Sequence, residues 1–144
     1  MLTLAKVGPR DVVYDLGCGD GRIVIAAAQK YGARGVGIDI DPARIAEAED
    51  NARRAGVQRL VTFRIQDALK ADVSDATVVT LYLLSALNVQ LRPILTRQLR
   101  PGARIVSHSF AMGDWEPDVV DTFRSEDGLG RTLYLWRTDG KVRP

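Results

Sequence analysis

Short apolar runs alternate along the chain with longer stretches in which apolar residues recur every three or four positions. The short runs are rich in Val, Ile and Leu, which is typical of strands buried on both faces of a parallel sheet. The longer stretches predict amphipathic helices. Five strands are predicted before residue 111: Asp11–Leu16, Ala33–Asp39, Val61–Asp67, Thr77–Leu83 and Ala103–Phe110. The alternation predicts an α/β fold with a Rossmann-like, doubly wound and mostly parallel sheet.

The first two predicted helices have clear ends. The first is expected over Arg22–Tyr31, directly after a glycine-rich turn. In the second, Asp41 is the expected N-cap, Pro42 the first helical residue and Gly56 the residue that stops the helix.

The last third of the chain departs from this alternation. A third helix is expected between about Ser85 and Leu99, where Pro93 predicts either a kink or a late start. After the fifth strand, only a short loop precedes Asp118–Phe123, too short for a crossover helix. A turn at Gly128–Gly130 then leads into Thr132–Trp136. These segments predict a C-terminal antiparallel hairpin that closes the sheet.

Size and composition indicate a single globular domain over residues 1–144. Hydrophobic residues make up 46% of the chain and charged residues 26%, which is ordinary for such a domain. The net charge of +2 is small and the basic residues are dispersed, so we expect no nucleic-acid partner. A single Cys and a single His argue against a metal site. No apolar run is long enough for a membrane span, and no signal peptide is evident, so we expect a cytoplasmic protein.

The most specific pattern is the sequence Asp-Leu-Gly-Cys-Gly-Asp-Gly over residues 15–21, directly after the apolar run of the first strand. It predicts a turn whose backbone can approach a ligand closely at Gly17, Gly19 and Gly21. Neither the dinucleotide fingerprint nor the P-loop is present. Because Asp15 would repel a pyrophosphate, the turn suits a ligand with a cationic end, and Asp20 is placed to meet the same group.

Two further acids follow neighbouring strands of the predicted sheet. Asp39 ends the second predicted strand and Asp67 ends the third, and Ile40 and Ala68 come directly after them. Ligands of such sheets bind at the carboxyl ends of the strands. An acid after the second strand can accept hydrogen bonds from ribose hydroxyls, and one after the third from an adenine amino group. With the cation-tolerant turn, this set predicts a site for S-adenosyl-L-methionine.

The methyl acceptor is expected beyond the fourth and fifth strands. The side chains that this region offers are Tyr82, Ser85, Asn88, His108, Ser109, Phe110 and Trp115. The sequence after the fourth strand lacks the Asn/Asp-Pro-Pro-Tyr element of enzymes that methylate base amino groups, which disfavours that chemistry.

From residue 11 to about residue 136, the chain resembles the class I S-adenosylmethionine-dependent methyltransferases. Within that class, three segments together with Trp115 resemble the small protein-lysine methyltransferases, namely the archaeal broad-specificity enzyme and its mitochondrial relatives. These segments are Tyr14–Arg22, Leu81–Leu84 and Ser107–Phe110. The resemblance implies the class I methyltransferase fold, S-adenosylmethionine as methyl donor and exposed protein lysines as acceptors.

The resemblance also implies roles for the acceptor region. Tyr82 would orient the acceptor amine as the catalytic residue, and Phe110 and Trp115 would form an aromatic lysine channel. Asn88 and His108 are the remaining substrate-binding candidates. Three of these candidates have a structural alternative. Tyr82 could be a core aromatic, His108 a structural residue, and Trp115 a hydrophobic plug under the hairpin.

Two other functions remain open from the sequence. One is a small-molecule N- or O-methyltransferase, which would need a closed apolar pocket. The other is a domain that binds S-adenosylmethionine without catalysis. Relatives in the resembled group carry a helix and an extended segment before the first strand, and Met1–Val7 looks like the tail of that helix. We therefore expect either a longer native chain, in which a lid or targeting segment precedes residue 1, or an open site.

Overall fold

A computed structural model describes all residues, 1–144, and contains seven strands, three α-helices and one short 3₁₀ helix. The elements in chain order are β1 (Val12–Leu16), α1 (Arg22–Tyr31), β2 (Arg34–Asp39), α2 (Pro42–Ala55), β3 (Val61–Ile65), the 3₁₀ helix (Ala68–Lys70), β4 (Val78–Leu81), α3 (Ser85–Gln98), β5 (Arg104–His108), β6 (Val119–Arg124) and β7 (Gly130–Arg137).

The seven strands form one sheet in the order β3-β2-β1-β4-β5-β7-β6. The first five strands are parallel, and β7 lies antiparallel between β5 and β6. This arrangement confirms the α/β class and the antiparallel closing hairpin. The strand order reverses between β1 and β4, so the crevice for a ligand opens at the carboxyl ends of these two strands.

The predicted ends of α2 are confirmed. The Asp41 carboxylate caps α2 by accepting the Ala43 N–H at 2.9 Å, and Gly56 ends that helix with φ of 74°. The late start considered for the third helix is wrong, because α3 begins at Ser85 and continues through Pro93. Since the third, fourth and fifth strands end earlier than predicted, the acid and aromatic side chains expected at their ends lie in the loops that follow.

The core has one apolar cluster on each face of the sheet. One contains Leu16, Ile38, Leu81 and Trp136 and packs against α3. The other packs under α1 and α2 and contains the apolar residues Val13, Val24, Val78, Val106 and Leu135. No helix is long and apolar enough to cross a bilayer, and no cluster of three or more His, Cys, Asp or Glu side chains could hold a metal ion.

Gly37 in β2 allows β3 to pack against the glycine-rich turn. A Cβ atom at this position would lie 2.6 Å from Phe63 Cδ1 and 2.9 Å from Cys18 Sγ. We expect Gly37→Ala to lower the free energy of unfolding by about 2 kcal/mol, because overpacking a buried site forces its neighbours apart. Urea denaturation measures this change. Gly8→Ala is the control, since no heavy atom lies within 4 Å of its added methyl group, and equal midpoints for the two variants would contradict the prediction.

Candidate active site

The glycine-rich turn is fixed against the end of β2 and leaves bare backbone toward solvent. The N–H groups of Gly17 and Cys18 both donate to the Ile38 carbonyl, at 2.7 and 2.9 Å. Gly19 has φ of 55°, and a Cβ atom there would meet nothing within 4 Å. The backbone at Gly19 therefore lines open space in which a ligand can approach it closely.

Gly21 has a different role from the one predicted. It is the N-cap of α1 with φ of 81°, and a Cβ atom there would lie 2.9 Å from the Phe63 ring and 3.0 Å from Ala48 Cβ. Gly21 thus faces the protein interior and does not line the cavity beside the turn. The predicted contact of Gly21 with the cofactor is therefore corrected. The absence of a side chain at Gly21 allows the start of α1 to pack against Phe63 of β3.

Asp15 is a buried acid at the floor of the site. Its side chain accepts the Thr80 hydroxyl at 2.8 Å, and the residue is only 2% exposed. Burial raises the pKa of Asp15 to about 7, with the charges of Asp39 and Asp20 adding to the increase and the Thr80 hydrogen bond opposing it. A buried carboxylate with no cationic partner in the protein is a site for a cationic ligand group.

Asp20, within the turn, and Asp39, at the end of β2, both have hydrogen-bond partners in the protein. The Arg22 guanidinium pairs with Asp20 at 2.8 Å and holds the pKa of that carboxyl below its usual range. Asp39 accepts the Gly19 N–H at 2.9 Å through one oxygen and the Asp41 N–H at 3.0 Å through the other. Each oxygen of Asp39 keeps a free lone pair, so the carboxylate can still accept hydrogen bonds from a diol.

Two adjoining cavities follow the turn. The first, of about 450 Å³, contains Asp15, Asp20 and Asp39. The second, of about 340 Å³, is lined by Ile40, Asp67 and Ala68, three of the residues predicted to bind the cofactor. Gly17 and Asp39 line both cavities, so one extended ligand can occupy them together.

The residues around these cavities fit S-adenosylmethionine. Gln66 lines the second cavity, and its Oε1 atom is buried without a hydrogen-bond partner, which suits an adenine amino group. The first cavity is lined by three acids, which suit the cationic groups of the cofactor. The sequence analysis missed other lining residues because they come from α2, from the loop after β4 and from α3: Arg44, Leu83 and Leu87.

A third cavity, of about 690 Å³, lies beyond β4 and β5, where the acceptor was predicted. It is mainly apolar, and its lining includes Tyr82, Leu84, Leu87, His108 and Phe110. Tyr82 also lines the first cavity and is 58% exposed, so the alternative that it is a core aromatic is wrong. Tyr82 therefore stands at the junction between cofactor and acceptor cavities.

His108 supports the Tyr82 ring. The two rings stack with centroids 4.3 Å apart, and His108 Nδ1 lies 3.0 Å from the Ser109 hydroxyl oxygen. Burial, together with the positive charge of Arg131, lowers the pKa of His108, so the imidazole is neutral at physiological pH. Ser109 has φ of 70°, an uncommon conformation for a residue with a side chain, and it directs the chain from β5 into Phe110.

Asn88 does not reach the acceptor cavity. It is fully buried in α3, and its amide donates to the Phe110 carbonyl and to the Ser107 hydroxyl, both at 3.1 Å. The prediction of a substrate contact is therefore wrong. Asn88 instead holds the loop that carries Phe110.

Trp115 also lies away from the acceptor cavity. Its ring packs 5.8 Å from that of Trp136, with the Arg143 guanidinium 4.9 Å from its centroid. The Trp136 indole N–H donates to the Trp115 carbonyl at 2.9 Å. The predicted aromatic channel thus contains Phe110 but not Trp115, which packs under the hairpin as the alternative proposed.

Comparisons with known proteins identify a matching family and similar relatives. The profile of the ANTKMT methyltransferase domain matches residues 15–119. A protein-lysine N-methyltransferase of Saccharolobus islandicus is 44% identical over 138 residues, which are 94% of this chain and 84% of the relative. The adenine nucleotide translocase lysine N-methyltransferase of Mus musculus is 34% identical over 83% of this chain, and the chain spans only 52% of that protein.

A solved structure matches almost the entire chain. It is the structure of an RNA methyltransferase from Salinibacter ruber in complex with S-adenosyl-L-homocysteine. The two proteins share 54% identity with a TM-score of 0.90, over 99% of this chain and 90% of the other. The matched span includes the glycine-rich turn, the acids after β2 and β3, and the loops around the acceptor cavity.

Proposed function

The chain belongs to the ANTKMT methyltransferase domain family, and we propose that the acceptor on which it acts is the side chain of lysine in proteins. Membership makes the chain an S-adenosylmethionine-dependent methyltransferase, in agreement with relatives whose structures hold S-adenosylhomocysteine. The identity of the methyl acceptor is the part that we propose, and it is supported by two relatives named lysine N-methyltransferases.

The observation that carries the proposal is the shape of the acceptor cavity. It is apolar, it opens to solvent, and it meets the cofactor cavity at Tyr82. Leu84 and Phe110 are exposed at this apolar surface. A lysine side chain matches such a passage, because its four methylenes can pack against apolar walls while its amine extends beyond them. An open entrance also admits a side chain from the surface of a folded protein.

The residues of the chain support transfer to an amine. S-adenosylmethionine, when bound, supplies a methyl group on a positively charged sulfur. Asp15 and Asp39 line the cofactor site, and Tyr82 lines both the cofactor and the acceptor cavities, so its hydroxyl would orient the amine lone pair. The apolar side chains of Leu84 and Phe110 reduce the polarity around an entering ammonium group, and lower polarity lowers its pKa. The amine can then lose its proton to solvent without a strong general base.

A small-molecule acceptor is not favoured, because the exposed entrance at Tyr82 and Leu84 does not enclose a ligand. RNA is the second candidate, since the Salinibacter ruber relative is named an RNA methyltransferase. The exposed rings of Tyr82 and Phe110 could stack on an unpaired base. The small net charge and the dispersed basic residues count against RNA, and the expectation of no nucleic-acid partner stays a prediction.

Transfer of labelled methyl groups tests the acceptor. The protein is incubated with labelled S-adenosylmethionine and a cell extract, which is then separated into protein, RNA and small-molecule fractions. We expect label in the protein fraction, recovered as methyl-lysine after hydrolysis, and none with the Asp15→Asn variant. Label confined to RNA would replace lysine with the second candidate. Label only among small molecules, or none at all with the cofactor bound, would overturn both.

A further inference from the structure

We propose that Arg131 forms an anion-binding subsite beside the acceptor cavity and selects lysines that have an aspartate or glutamate as a close neighbour. The inference rests on the proposed lysine function and adds a substrate class to it. Arg131 lies in β7 at the side of the acceptor cavity that faces the β6–β7 hairpin.

The charges around the acceptor cavity are unbalanced. Arg131 lines it, and no Asp or Glu does. The other lining groups are apolar or uncharged, apart from His108, which is neutral at physiological pH. A lysine that enters as an ammonium therefore meets the positive charge of Arg131, which the half-exposed Asp127 outside the cavity offsets only in part, and like charges at close range repel each other.

The acids of the cofactor site do not line the acceptor cavity and so do not balance the charge of Arg131 there. Asp15, Asp20 and Asp39 line the first cavity, on the other side of Tyr82. They accept hydrogen bonds from Thr80, Arg22 and the Gly19 backbone respectively, and they face the site of a cationic cofactor.

The Arg131 guanidinium has hydrogen-bond donors that no protein atom uses. Its Nη2 atom donates to Asp127 at 3.1 Å, and its Nε atom lies 3.4 Å from the Ser125 hydroxyl oxygen. Its Nη1 group donates to no protein atom. The Asp127 side chain is 50% exposed, so solvent weakens the pair and an arriving carboxylate can compete for the guanidinium. A planar guanidinium suits a carboxylate better than any other side chain does.

A carboxylate on the substrate would therefore serve two purposes. It would supply a partner for Arg131, and it would offset the repulsion that the lysine ammonium meets on entry. Arg131 contributes to substrate choice in this scheme and touches no reacting atom.

Steady-state kinetics on synthetic peptides test the subsite. The peptides have equal length and one lysine, flanked by glutamate, glutamine or arginine. We expect the wild-type enzyme to show a KM about tenfold lower for the glutamate peptide than for the glutamine peptide, as one charge-assisted contact gives about 1.4 kcal/mol. Arg131→Gln should remove this difference, and Arg131→Lys should restore part of it. Arg124→Gln, at the exposed end of β6, removes a neighbouring charge that does not line the cavity and should keep the difference.

Asp127→Asn tests the same subsite in the opposite direction. Because it frees the Arg131 guanidinium from its present partner, we expect a larger KM advantage for the glutamate peptide. This variant also gives a result if Arg131→Gln does not fold, which circular dichroism and cofactor binding would reveal.

The outcomes separate this inference from the function on which it rests. Methyl-lysine formed with equal KM for glutamate and glutamine peptides would overturn the subsite and leave the lysine function intact. No methyl-lysine on any peptide or protein would overturn the lysine function. Methylation of an RNA oligonucleotide that depends on Arg131 would assign the guanidinium to phosphate and overturn the acidic-neighbour proposal.

Discussion

Asp15→Asn is expected to weaken cofactor binding strongly and, at pH 8, to make the cofactor-free protein more stable. The substitution keeps the size of the side chain and removes its charge. The cofactor then loses its buried anionic partner, so we expect its affinity to fall by about 100-fold or more, as for a buried charge pair with one member removed. Isothermal titration calorimetry measures this loss.

The stability change follows from the raised pKa of Asp15. Its pKa is about 7 in the folded protein, against 3.8 as the ordinary value, so the folded state holds the proton more tightly than the unfolded state does. Ionised Asp15 therefore disfavours folding, by an amount that grows between pH 4 and pH 7 and reaches about 4 kcal/mol above pH 7. Asparagine has no charge to bury. Its stabilising effect should be present at pH 8 and vanish near pH 4, where Asp15 is protonated in both states.

Thermal unfolding at pH 8 and pH 5, without cofactor, measures the difference. Glu49→Gln is the control, because it makes the same acid-to-amide change at an exposed position of α2 and should alter neither stability nor affinity. A lower melting temperature for Asp15→Asn than for wild type at pH 8 would contradict the argument. For the wild-type protein, the same pKa predicts that cofactor affinity falls as pH drops below 7, by up to about tenfold per pH unit.

The parts of the fold that could be predicted depend on local chemistry or on rules of sheet topology. Asp41 and Gly56 mark the ends of α2 through hydrogen bonds and backbone angles within a few residues. Asp15, Asp39 and Asp67 converge because the carboxyl ends of parallel strands lie at one edge of the sheet, so their placement needed only the strand assignments.

The residues that were misplaced lie in segments whose direction depends on distant contacts. Asn88 points inward and donates to the Phe110 carbonyl, 22 residues later in the chain, and Trp115 turns under the hairpin to pack on Trp136. Arg131 was missed because the sequence does not show that the first residues of β7 lie beside the acceptor cavity. The register of β5 and β7 pairs His108 with Leu133 and so brings Arg131, two residues earlier, to the same cavity as His108; only the folded sheet establishes that register.

Tyr82→Phe is expected to lower kcat by about 100-fold while the affinity for S-adenosylmethionine stays the same. The substitution keeps the ring that stacks on His108 and lines both cavities, and it removes the hydroxyl alone. Loss of a group that positions a nucleophile typically costs a factor of about 100 or more in rate. Single-turnover methylation of a lysine peptide, with calorimetry for cofactor binding, measures the two quantities.

Tyr31→Phe is the matched control, because it removes a hydroxyl at the end of α1 that contacts Thr3 and lies outside the three cavities. An unchanged kcat for Tyr82→Phe would mean that the ring alone forms the passage between the cavities. Tyr82→Ala would then be the variant that loses activity, since it unstacks His108 and widens the junction. If turnover falls in Tyr82→Phe but the cofactor still binds, the hydroxyl acts after cofactor binding, which is the behaviour of an enzyme and cannot be that of a domain that only binds the cofactor.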